Sequence, residues 1–168
     1  MALAGSRTCQ LQCEGITLAS EALLAGPVEK ILSGKAGGVG GLETSCLALG
    51  HAGAAIDYLR QEAAQRPDLA AIAERFQRFR THTRLRLHTL AEATPTNEDT
   101  IALRVDCTCL ALQASQVALT VAKGAGFVKP NPAQRWARQA LFFLVWSCPR
   151  PAAEGVIARL LPSAAEAL

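Results

Sequence analysis

The chain has 168 residues, half of them apolar, 18% charged and 5% aromatic, with a net charge of +3. That composition excludes a disordered tail and a collagen-like or low-complexity chain. The charge excess is too small to imply a nucleic-acid or membrane partner, and the dominance of Ala and Leu points to a helix-rich globular domain.

In chain order, residues 1–7 lack a basic region followed by a long apolar core, so no signal peptide is expected. Residues 8–14 alternate apolar Cys9, Leu11 and Cys13 with polar neighbours, which predicts a half-buried strand. Gly15 breaks the phase, and Ile16 and Leu18 resume it in the other parity, as a bulge allows. One or two strands do not make a sheet, so this segment reads as the end of something larger. A glycine-rich stretch over 25–41 reads as loop.

From about Leu42 the pattern turns helical. A first helix is expected to about Gln65, with a seam of Leu42, Cys46, Leu49, Ala52, Ile56 and Leu59. Pro67 suits the opening of a second helix, whose seam is Leu69, Ile72, Phe76, Phe79, Thr83, Leu87 and Leu90, and Pro95 stops it. The basic stretch 78–88 alternates like a strand, yet its position inside this seam favours a helix. Its cations read as a solvated face, because Phe76 and Phe79 fall on the seam and leave no aromatic residue to stack bases. Thr96 to Thr100 is a capping cluster that opens a third helix over about 98–123. Its greasy stretch 105–122 is interrupted by Asp106, Gln113, Ser115 and Gln116 and reads as a buried core helix rather than a membrane span. Gly124 and Gly126 end it. Asn131 caps a fourth helix, with Pro132 in its first position, running to about Trp146. Pro149 and Pro151 precede a short closing helix to about Leu161.

The six cysteines offer neither a disulfide nor a metal site by spacing. Cys9 and Cys13 would stand about 13 Å apart on an extended strand, and Cys107 and Cys109 diverge by about 200° around a helix. Cys46 and Cys148 stand alone. Buried thiols in a reducing cytoplasm are the expectation.

One segment carries a resemblance. Residues 123–140, with Gly124, Gly126, Phe127, Pro132, Arg135, Arg138 and Ala140, resemble the C-terminal signature of the acyl-CoA dehydrogenase family, a G-G-x-G-[YF] turn followed by P-x-E-R-x-x-R-D-A. Residues 48–57 are similar to the first helix of that family's C-terminal domain, with its A-x-G and A-[IL]-D pattern, and residues 13–24 to the exit from its central β-domain. The resemblance implies a mainly α fold, an antiparallel four-helix bundle of that C-terminal type preceded by a short β-strand remnant. It divides the chain into residues 1–35, remnant and linker, and 36–168, the bundle.

It further implies a flavoprotein that uses FAD to oxidise the CH–CH bond of an acyl-CoA, with a carboxylate base and assembly as a homo-oligomer. Gly124, Gly126 and Phe127 fall at the nucleotide-contacting turn, while the family's Gln and first Gly there are Thr120 and Lys123. The usual base position falls on Ser147, which cannot serve as a carboxylate. The alternative base position at the start of the first helix falls on Gly40, with Glu43 the nearest acid. The family's flavin-contacting Arg has only Arg66 to offer, and Arg135 and Arg138 match positions that make structural ion pairs. His51, His82 and His88 form no triad legible in sequence. The expectation is a partial chain, inactive alone, which forms a homo-oligomer or joins a polypeptide supplying the missing domains, in the cytoplasm and without metal. The alternative is a non-catalytic helical oligomerisation or interaction module.

Overall fold

A computed structural model describes residues 9–23, Gly26 and 41–161. Two units separate, Met1–Gly38 and Val39–Leu168. Within the described part of the first, the only regular element is a single 3-10 turn at Ser20–Ala22. The strand expected over 8–14 is not formed among the described residues: Cys9, Leu11 and Cys13 are exposed, and so are Ile16 and Leu18 beyond Gly15. Alternation alone does not make a strand, because its backbone groups need a partner edge and none lies among the described residues. Gly15 does bend the chain, at φ +60°.

The second unit is helical. Its elements are α1 (Leu42–Gln65), α2 (Ala70–Glu92), α3 (Asn97–Ala122), α4 (Ala133–Ala140) and α5 (Arg150–Leu160), with 3-10 turns at Pro67–Leu69, Lys123–Phe127 and Leu141–Leu144. The basic stretch 78–88 is helical throughout. α3 begins with a capping box in which the Thr96 hydroxyl accepts from the Asp99 N–H while the Asp99 carboxylate accepts from the Thr96 N–H. Asn131 opens α4 by accepting from the Ala133 N–H at 2.9 Å.

α3 is the central helix. One side packs on Ala48, Ala52, Ala55, Ile56 and Leu59 of α1 through Leu103, Cys107, Leu110, Ala114 and Ala118. Another side places Val105, Cys109 and Leu112 against Ala140, Ala152 and Val156 of the C-terminal helices. A helix covered on several sides needs apolar residues around most of its girth. The stretch Asn97–Phe127 is long and apolar enough to cross a membrane by length and composition, and most of it is buried in the bundle.

Three expectations are corrected here. Ile72 and Phe79 lie on the predicted core seam of α2 but stay 42% and 44% exposed, because among the described helices α1 and α3 are the ones packed on α2 and neither covers that side. Cys46 is likewise exposed, as are Cys9 and Cys13, and Cys148 is half-buried; only Cys107 and Cys109 are buried thiols. The fourth helix ends at Ala140 instead of near 146, and the chain then tightens into the 3-10 turn and turns over at Ser147, φ +47°.

Candidate functional site

Of the residues expected to carry chemistry, Glu43 is exposed at the start of α1, its carboxylate folded back over Gly41 so closely that a Cβ there would collide with it. A carboxylate in the first turn of a helix is stabilised by the unpaired N–H groups there, and among the described residues Glu43 enters no side-chain ion pair. Ser147 is exposed on its turn.

The glycine turn has its own geometry. Gly126 is buried, and a Cβ on it would lie 2.8 Å from Leu119 Cδ1 and 3.0 Å from the Ala122 Cβ. Its bareness therefore serves internal packing. Gly124 faces open space and Phe127 is exposed. These three residues do not form a cradle for a nucleotide, so the fit to FAD is poor. Lys123, where the resemblance places a glycine, adopts φ +51°, ψ −144°, a conformation that glycine accepts far more readily than lysine. Arg66 is already engaged: its guanidinium donates to the Val121 carbonyl at 3.2 Å and lies 3.8 Å from Glu62. Arg135 and Arg138 are exposed and enter no ion pair among the described residues.

The structure does bring His51 beside a serine. Nε2 of His51 lies 2.9 Å from the Trp136 carbonyl and 3.2 Å from Ser115 Oγ. A carbonyl oxygen only accepts, so Nε2 must carry the proton and donate it. The same nitrogen then has no lone pair with which to take a proton from Ser115, which is fully buried. Burial lowers the His51 pKa, outweighing the carbonyl bond that raises it. This is a neutral histidine tying α1 to α3 and α4.

Two ionic features were invisible in the sequence. Asp106 on α3, read there only as an interruption, accepts from Arg86 of α2 and from Arg159 of α5, the latter at 2.6 Å. Arg104, two residues earlier, is 2% exposed and has no carboxylate partner among the described residues. Its Nη2 donates to the carbonyls of Phe143 and Trp146 at 3.3 and 3.0 Å, and its charge sits 5.9 Å from the Phe143 ring centroid. Those bonds hold the Phe143 carbonyl within the 3-10 turn and the Trp146 carbonyl just beyond it. Burial pulls the guanidinium pKa down, opposed by the thiols of Cys148 and Cys107. A charged residue inside an apolar helix was the available signal; its partners lie far along the chain.

A groove of about 400 Å³ runs between α2 and α3, lined by Ile72, Phe76 and Phe79 with Arg75 on one wall and by Leu110, Gln113 and Val117 on the other. Among the described residues no group of three or more His, Cys, Asp or Glu is placed to hold a metal ion. Comparison with protein-family models, characterised proteins and solved structures finds no match for this chain.

Proposed function

We propose that the chain is a non-catalytic helical module whose work is to dock another polypeptide. One contrast carries the reading. His51 and Asp106 are committed to bonds between the chain's own helices and Arg104 bonds the segment joining α4 to α5, while Ile72, Phe79, Leu141 and Val145 stand exposed. Ile72 and Phe79 share one groove wall, and contiguous exposed apolar surface commonly marks a contact site.

Site-directed photo-crosslinking in the cell that makes the protein tests this. A photoreactive residue at position 79 or 145 is expected to form an adduct of discrete mass, and one at Arg60 to form none. Equal labelling at all three positions, or none at any, would overturn the reading.

A second reading keeps the chain as an antiparallel four-helix bundle of the acyl-CoA dehydrogenase C-terminal type, taken from a larger FAD-dependent oxidoreductase. What favours it is the glycine-type backbone of Lys123 at the position where that family carries glycine. Residues 48–57 lie within the first long helix, as that reading requires. Stoichiometric flavin in protein purified from a flavin-replete host would carry this reading over the first.

A further inference from the structure

Resting on the docking-module reading, we infer that the groove between α2 and α3 receives a two-turn, acidic amphipathic helix from a partner polypeptide. Shape comes first. On one wall the apolar positions run from Ile72 to Phe79; on the other they run from Leu110, which is 1% exposed and forms the floor, to the half-buried Val117. Each span covers about 10.5 Å at 1.5 Å per residue, which is two turns of helix. Two packed helices offer a trough between them, and an apolar face with anchors at i, i+3 or i+4, and i+7 fits such a trough. A membrane surface is matched by a protruding or flat apolar face instead.

Charge selects the partner's sign. α2 carries Arg75, Arg78, Arg80, Arg84 and Arg86 against Glu74 and Glu92. Three of these arginines are paired, Arg78 with Glu74, Arg80 with Asp57 and Arg86 with Asp106, the last two carboxylates being shared with Arg60 and Arg159. Arg75, in the groove wall, and Arg84 enter no ion pair among the described residues. His82 follows Arg75 by seven residues and so shares its side of the helix. The apolar trough is therefore edged by an uncompensated cation, and carboxylates flanking a partner's apolar stripe answer it. A second copy docked groove to groove would set these arginines against one another, which disfavours self-pairing.

The test uses the full chain and a labelled synthetic helix of 16 residues, with Leu at i, i+4 and i+7 and Glu on the flanks. A twin with Lys in place of every Glu is the control. We expect the Glu peptide to bind at least tenfold more tightly than its Lys twin. Arg75→Glu should abolish that preference, and Phe79→Ser should weaken the Glu peptide at least tenfold. Both positions are at least partly open to solvent, so the thermal midpoint should hold, and circular dichroism checks it. Equal affinity for the two peptides, or binding indifferent to Arg75→Glu and Phe79→Ser, would overturn the inference. So would phosphatidylserine vesicles binding where neither peptide does. Crosslinking at position 145 without crosslinking or peptide binding at the groove would sink this inference and leave the docking-module reading standing.

Discussion

Arg104 of α3 donates to the Trp146 carbonyl at 3.0 Å, across 42 residues of chain. A buried cation is here met not by a carboxylate but by two backbone carbonyls through Nη2, while its Nε and Nη1 have no hydrogen-bond partner among the described residues. The same group donates to Phe143, so one side chain fixes the path of the segment that joins α4 to α5.

Arg104→Met keeps much of the length and removes both bonds and the charge. Hydrogen bonds from a charged donor contribute about 1.5–3 kcal/mol each, and relief of the desolvated cation offsets part of that loss. The expected outcome is a drop of about 1–3 kcal/mol in urea unfolding, with faster amide exchange confined to residues 143–148. A raised midpoint would show that desolvation outweighs the two bonds.

Backbone strain at Lys123 gives a prediction of the opposite sign. A non-glycine residue in that conformation costs of order 1–3 kcal/mol, so Lys123→Gly is expected to stabilise the protein by about 1 kcal/mol. Gly155→Ala is the counterpart. Its Cβ would lie 2.7 Å from Val105 Cγ2, a stiff, buried side chain. Although alanine favours helix by about 1 kcal/mol, the clash is expected to win and lower stability. Thermal melting of the two variants checks both signs.

Thiol reactivity should sort by burial. Burial, aided by the nearby Asp106 carboxylate, pushes the Cys107 thiol up to about 12, and burial raises Cys109 as well. An aromatic disulfide reagent near pH 8 is expected to modify Cys9, Cys13 and Cys46 in the native protein, and Cys107 and Cys109 only after denaturation. An unfolded thiol titrates near about 8.5. The folded value is higher, so the contribution of Cys107 is complete below that pH and is lost as pH rises toward 12. Native labelling of Cys107 at the rate of Cys46 would contradict the packing of α1 on α3.

His51 supplies an acid-side dependence. Its folded pKa is depressed by burial, so below about 6.5 the unfolded chain takes up a proton that the folded one resists. Its contribution is present above that pH and is lost as pH falls through the folded value. Stability of the wild type should decline on acidification through this range, and His51→Gln should flatten that part of the profile. Parallel profiles would mean that His51 protonates freely in the fold.

Much of the helical pattern was legible before any tertiary contact was known. Thr96 with Asp99, Asn131, Pro67 and the Gly124–Gly126 turn mark helix ends by local chemistry, and local chemistry is written in adjacent residues. The alternation of Cys9, Leu11 and Cys13 misled for a related reason: a strand exists only with a partner edge, and periodicity carries no information about one. Glu43, Gly124, Gly126 and Phe127 were chosen by motif position, and the fold turns Gly126 inward while leaving Glu43, Gly124 and Phe127 open to solvent.

By itself, then, the sequence determined that the chain is helical from about Leu42 onward, where its main helices begin and end, and that the third is a core helix. Only the tertiary structure decided that α3 is enclosed by its neighbours, that Arg104 and Asp106 join distant segments, and that Ile72 and Phe79 stay open beside Arg75. Helix formation depends on residues three and four apart. Exposure of a helix face depends on whether another element arrives to cover it, and along that side of α2 none of the described elements does.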